Sequence, residues 1–214
     1  VVDGSSRDDS VAILGSFAAK HPHLSYISEE DSGPSEAINK GIALARGEFI
    51  GILCLNDFYQ PGTLNEVISL LPTLPRPAFL VGNCRMLDEK DELLYINKPE
   101  AFTPLQLLRR KPYSYNPAAY FYSRDLHRTA GPYPGCEGCD LAFMLRAFER
   151  ARIRYFDRCW GNFRMTPDSI TVKAIQSGTI EAGKDEIFAE YIRSRPLLRR
   201  LLLKAALLFG GNSR

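Results

Sequence analysis

Residues 50–62 read IGILCLNDFYQPG, and no other stretch constrains the fold as strongly. An apolar run of strand length stops at Asn56-Asp57, then meets an aromatic pair and a Pro-Gly turn. A carboxylate in that setting has two readings. It is either a strand-to-turn junction, where Asp is common, or a ligand at the carboxyl edge of an α/β sheet, where such folds bind ligands and metals. The preceding segments set the context. VVDGSSRDDS reads as a strand, a Gly-Ser turn and a helix start, with Asp8, Asp9 and Ser10 as candidate caps for VAILGSFAAKHP. LSYISEE is a short strand. DSGPSEAINKGIALARG is a turn and a helix that Ser32 or Ser35 can cap, with Ala37, Ile38, Ile42 and Ala45 at helical spacing and Gly47 placed as a left-handed terminator. The first 57 residues therefore alternate strand and helix. That predicts a parallel, doubly wound sheet with EFIGILCLND as a central strand covered on both faces.

Downstream the pattern loosens. PGTLNEVISLLPTLP is a helix, closed by Pro72 and Pro75. AFLVGNCRMLD and LLYINKP are strands joined by a hairpin turn at DEKDELL. PAAYFYSRDLHRTAG holds a strand and a short helix. CDLAFMLRAFERA is a helix whose Leu141, Met144, Leu145 and Phe148 share one stripe, and RIRYFDRCWGNFRM is a final strand pair or a strand with a turn. The opening VVDGSS reads as a strand already under way, so an upstream strand and helix are expected outside this sequence.

With 214 residues, 45% of them apolar, the chain suits one large α/β domain. The expectation is a single domain over 1–190 with a basic amphipathic helix over 191–214. A net charge of +2 gives no argument for nucleic acid. Five cysteines, at 54, 84, 136, 139 and 159, suggest reduced thiols and a cytoplasmic location. Cys136 and Cys139 form a C-x-x-C, but a zinc site wants a second pair and none exists. No apolar run reaches the length of about 20 residues that a spanning helix needs.

Several stretches then line up in order with family 2 glycosyltransferases. VVDGSSRDDS resembles their V-V-D-G-x-S-x-D-x-[ST] segment, and EEDSGPSEAINKGIALARGEFIGILCLND their E-x-D-x-G-x-x-[DE]-A-x-N-K-G segment with the following strand. NDFYQPGTL is similar to their D-x-D motif in its [SD]-D-D-x-Y-x-P-G-[AT]-L form. GPYPGCEGCDLAFMLRA resembles the region ending D-x-D-L-x-L-R, and FRMTPDSIT the closing F-R-x-H-x-x-S-x-T. The likeness covers roughly residues 1–172. It implies a GT-A fold, a Rossmann-like sheet with helices on both faces joined to a mixed acceptor half. It also implies transfer of a sugar from a nucleoside diphosphate, foremost a UDP-sugar, to a glycan or lipid-linked acceptor in cell-surface polysaccharide synthesis.

The resemblance also assigns roles. Charge builds on the leaving diphosphate, and Mg2+ or Mn2+ neutralises it. Asp57 is the expected metal ligand. Asn56 stands where the family usually has an acid, and is left to the metal or the sugar. Asp3 and Asp31 are placed on the base or ribose of the donor, Lys40 and Arg164 near its phosphates. Inversion needs a base for the acceptor hydroxyl. Asp140 is that candidate, with Glu137 in reserve, while Ala142 replaces the second family acid and Thr166 the closing His. Each has a plainer alternative: Asp57 a turn cap, Asp3 an Asx-turn, Lys40 a solvated lysine, Arg164 a structural ion pair, Asp140 a helix cap. Trp160 is expected in the core or a cleft wall.

From Pro196 the tail is helical in pattern, with Leu197, Leu198, Leu201, Leu202 and Leu208 mixed with Arg199, Arg200 and Lys204. It suits a helix lying on an anionic membrane surface, at the inner face of the cell membrane. Two rivals to an active transferase stand. A nucleotidyltransferase would want a Gly-rich phosphate loop, which is absent. A degenerate, non-catalytic nucleotide-sugar-binding domain would account for Asn56, Ala142 and Thr166.

Overall fold

In a computed structural model of the chain, the structure describes residues 1–109, 115–136 and 138–209. Strands β1 (Val2–Asp3) and β2 (Ile27–Ser28) form a parallel pair, with helix α1 (Ser10–Lys20) between them in sequence and α2 (Pro34–Leu44) following. Next come β3 (Phe49–Gly51), β4 (Asp57–Tyr59), α3 (Thr63–Leu70), β5 (Ala78–Leu87), β6 (Leu93–Asn97) and α4 (Pro104–Leu108). The second half holds β7 (Tyr120–Ser123), α5 (Leu126–Ala130), α6 (Cys139–Ala147), β8 (Arg152–Arg164), α7 (Ile170–Ser177), α8 (Thr179–Arg193) and α9 (Leu197–Phe209). A six-stranded sheet runs β3-β7-β5-β8-β4, with β6 on β5. Only β5–β8 is parallel in it.

The apolar run that opened the sequence reading is not one central strand. It splits into β3 at one end of the sheet path and β4 at the other, with residues 52–56 between them outside any strand, and Leu55 98% exposed. The physical reason is that β3 has a partner on one edge only: Phe49–Gly51 pair antiparallel with β7, and no strand of the sheet continues the ladder beyond Gly51. A flat path of this order would hold its outer strands about 19 Å apart, close to the limit a five-residue link spans. The sheet therefore curls. Tyr59 of β4 stacks on Phe121 of β7 at 5.5 Å between centroids, although β5 and β8 lie between them in the strand order. Gly51 permits this closure, since a Cβ there would sit 2.7 Å from the Phe121 ring and 2.9 Å from Tyr59 Oη.

Side chains alternate across the sheet as its pleat requires. Phe79, Val81, Tyr120 and Tyr122 enter a large core with Phe143, Met144 and Leu145 of α6. Ala78, Leu80 and Phe121 enter a smaller one with Val67 of α3 and the fully buried Trp160 of β8. The stripe Leu141, Met144, Leu145 and Phe148 is buried as its spacing predicts. Helix ends differ in detail. α2 is capped by Gly33 and closed by Ala45 in an extended conformation, so Gly47 does not terminate it. Ser32 instead donates from Oγ and N to Glu36 Oε2, at 2.6 and 2.9 Å. Residues 152–164 form one continuous strand, and α7 and α8 are additional to the elements the sequence pattern suggests.

Candidate active site

Asp57 opens β4, where its backbone pairs with Phe163 of β8. It is 7% exposed, and its Oδ2 is buried with no hydrogen-bond partner among the described residues. Burial pushes the carboxyl up to about 7. A lone buried carboxylate oxygen without a donor is costly, and a hard cation is one group that would satisfy it. No group of three or more His, Cys, Asp or Glu side chains able to hold a metal occurs among the described residues. A cation here would therefore lean on Asp57 and on oxygens brought by a ligand, a donor set that suits magnesium or manganese and not zinc.

The neighbours of Asp57 come from the closing segment. Asn56 Nδ2 donates to Thr166 Oγ1 at 3.3 Å. Arg164 donates from Nε and Nη2 to the two oxygens of Asp91, at 2.7 and 3.0 Å, and its guanidinium lies over the Phe58 ring at 5.4 Å. Arg164 thus ties the β5–β6 turn to β4. Asp91 lies 73 residues from Arg164 in an acidic turn, with a positive φ of 65°, and nothing in the sequence pattern marks it. Thr166 also lines an open cavity of about 370 Å3 with Asp88, Lys90, Leu94 and Val172.

At the opposite end of the chain, Asp3 accepts from Ser6 N and Oγ (3.0 and 2.5 Å) and from Ser28 Oγ (2.6 Å). The bond from Ser28, then those from Ser6, hold its carboxyl below the ordinary range. Asp31 Oδ1 accepts from Gly33 N at 2.9 Å, and a Cβ at Gly4 would sit 2.9 Å from Asp31 Oδ2, so the two turns abut. Lys40 is ion-paired with Glu29 and Glu36, each at 2.9 Å, and donates to the Glu30 carbonyl at 3.0 Å. In this arrangement it clips α2 to the loop after β2.

Asp140 lies in the first turn of α6, while Gly138 in the left-handed region occupies the cap position. Burial raises the Asp140 carboxyl to about 6, partly offset by the Cys139 thiol 3.8 Å away. Cys54, which lies exposed at the surface, accepts from Asp57 N through its carbonyl at 3.0 Å. Its thiol is pushed up to about 12 by desolvation first and then by the charges of Asp57 and Asp140. The charges of both carboxylates are thus felt at one thiol, which sequence spacing does not reveal. Glu137 lies outside the described residues.

Residues 1–86 match the family model described as Glycosyl transferase family 2. Chondroitin synthase of Escherichia coli is 38% identical over 61 residues, 28% of this chain and 9% of that protein. The succinoglycan biosynthesis protein ExoU of Rhizobium meliloti is 34% identical over 70 residues, 32% of this chain and 20% of that protein. An uncharacterized glycosyltransferase of Rickettsia typhi is 30% identical over 101 residues, 47% of this chain and 31% of that protein. The chain thus spans at most about a third of the length of these relatives. Among solved structures, S. aureus TarS 1-349 in complex with UDP-GlcNAc superposes with a TM-score of 0.62 at 18% identity, over 90% of this chain and 61% of that one. The mannosyltransferase PcManGT from Pyrobaculum calidifontis, in complex with GDP-Man and Mn2+, superposes with a TM-score of 0.63 at 18% identity, over 98% of this chain and 60% of that one. These likenesses are of the fold, which is the GT-A arrangement.

Proposed function

By its residues 1–86 this chain belongs to glycosyl transferase family 2, and on that premise we propose that it catalyses the inverting, metal-assisted transfer of a sugar from a nucleoside-diphosphate sugar to an acceptor hydroxyl. The product class is a cell-surface polysaccharide or a lipid-linked glycan. One observation carries the reading: the buried Oδ2 of Asp57, which has no hydrogen-bond partner among the described residues.

The roles follow from the chemistry of each side chain. Asp57 Oδ2, with the amide oxygen of Asn56 beside it in sequence, would hold Mg2+ or Mn2+. When bound, that cation neutralises charge on the departing diphosphate. Asp140 accepts the proton of the acceptor hydroxyl; a carboxyl near 6 is mostly ionised at neutral pH yet basic enough to take it. Asp3 and Asp31 bond the base or ribose of the donor. Lys40 and Arg164, already ion-paired, serve the donor by fixing the segments around it. The UDP-GlcNAc bound by TarS and the GDP-Man and Mn2+ bound by PcManGT support a nucleotide sugar and a divalent cation, and we take a UDP-sugar as the foremost donor. The same reading places the protein peripherally on an anionic membrane surface.

The test is release of nucleoside diphosphate from UDP-, GDP- and dTDP-sugars with manganese present. Turnover of one donor class that falls by about a thousandfold in Asp140→Asn supports the reading; equal turnover in both proteins refutes the base assignment. A second reading, a non-catalytic nucleotide-sugar-binding domain, is favoured by the neutral Asn56–Thr166 pair. It predicts tight binding of a donor without any turnover.

A further inference from the structure

Helix α9 has two apolar sides, and the described residues cover only one of them. Leu203 and Leu207 pack against the large core, and Arg109 donates to the Ala206 carbonyl at 3.0 Å, which fixes that side to the domain. The other side carries Leu197, Leu198, Leu201, Leu202 and Leu208, which are 55–79% exposed. At about 100° per residue these five leucines fall within about 140° of arc. Lys204 borders that arc on one side and Arg199 on the other.

We infer that this leucine arc is the surface by which the protein lies on an anionic lipid bilayer. Geometry and charge select the occupant. The helix has 13 residues, about 20 Å of length, and no described helix is long and apolar enough to cross a membrane. An in-plane pose buries the leucines while the basic borders stay at the headgroups. After Glu190 the sequence holds Arg193, Arg195, Arg199, Arg200, Lys204 and Arg214 and no acid. Glu149, 5% exposed by side chain, answers Arg195 and Arg199 from α6's end, each at 2.9 Å, so one acid meets two bases and a positive excess remains. A second copy of the chain fits less well. Pairing the arc with itself would set the Lys204 rows against like charge, and Glu149, the acid that meets Arg199, is already shared with Arg195.

The consequence extends the proposed membrane contact. α9 and α6, which carries Asp140, pack on one core. Lipid docking through α9 therefore fixes the orientation of the candidate site to the bilayer, as an acceptor carried on a lipid requires.

The experiment is co-sedimentation of the protein with vesicles of phosphatidylcholine alone or mixed with phosphatidylglycerol, at low and high salt. Mixed vesicles should retain the protein at low salt and release it as salt rises. The double variant Leu198→Glu/Leu201→Glu should weaken retention by about a hundredfold, with its thermal midpoint unchanged because both positions are exposed. Light scattering in the same buffers reads self-association. No retention on mixed vesicles, equal retention of the double variant, or a wild-type dimer that the variant makes monomeric each overturns the inference. Donor turnover with a water-soluble acceptor is measured in parallel. Its loss in the wild type with vesicle binding intact would refute the transferase reading alone.

Discussion

The side-chain amide of Asn56 donates to the hydroxyl of Thr166 across 3.3 Å, joining the residue before Asp57 to the segment that follows β8. Both are positions where the family resemblance leads one to expect an ionisable group, an acid and a histidine. Here a neutral pair takes their place, so Asp57 carries the charge of that corner alone. The pair lies just beyond the β4–β8 ladder, next to its Asp57–Phe163 pairing.

Restoring the acid should strengthen cation binding. Asn56→Asp places a second carboxylate beside Asp57, and manganese affinity should rise about tenfold, about 1.4 kcal/mol. Isothermal calorimetry with UDP present measures it. The single variant also gives up the bond to Thr166, so a gain in affinity accompanied by a small loss of thermal stability is the expected signature.

Asp57 should cost the free protein stability above neutral pH. Its carboxyl moves from 3.8 to about 7 on folding, so the folded state holds the proton more tightly than the unfolded one. Stability is fully present below about 4, falls as pH rises toward 7, and is level above. Asp57→Asn removes this dependence and should raise metal-free stability at pH 8 by up to about 4 kcal/mol, read as the denaturation midpoint against pH.

If the proposed base is Asp140, it should set a pH limb in the rate. With its carboxyl at about 6, turnover at limiting acceptor should rise tenfold per pH step below about 6 and level off above. Asp140→Asn should leave a residual rate without that limb, while donor binding changes little. A limb that survives in the variant would belong to another group.

Glycine at 161 is a packing requirement of β8. A Cβ there would meet the Ala118 carbonyl oxygen at 2.2 Å and its carbon at 2.6 Å, both backbone atoms that cannot step aside. Gly161→Ala should destabilise the fold by about 2 kcal/mol or more, checked by urea denaturation. Gly183→Ala, which meets nothing within 4 Å and lies in α8, should be neutral or stabilising by up to about 1 kcal/mol.

Elements with a strong period were legible. The α6 stripe and the β5–β6 hairpin follow from spacing and turn chemistry; the tail, expected as one helix over 191–214, instead holds the end of α8 and then α9 at Leu197–Phe209. The split of residues 48–57 was not, because an apolar run records burial tendency and not the identity of its neighbours. β3 ends where its ladder ends, and that is decided by β7, some 70 residues away. For the candidate site, Asp3, Asp57 and Asp140 could be singled out by residue type and resemblance, yet their ionisation could not be read. Asp3 gathers three donors while Asp57 has an oxygen with none, a contrast created only when distant segments close around them. Arg164 shows the same limit: its partner Asp91 is brought to it by the hairpin.

The most direct measurement is calorimetric titration of UDP into the protein and into Asp57→Asn, each with and without manganese. The account predicts that manganese tightens UDP binding by tenfold or more in the native protein, about 1.4 kcal/mol, and has no effect in the variant, whose fold remains intact. Equal manganese dependence in both proteins would contradict it.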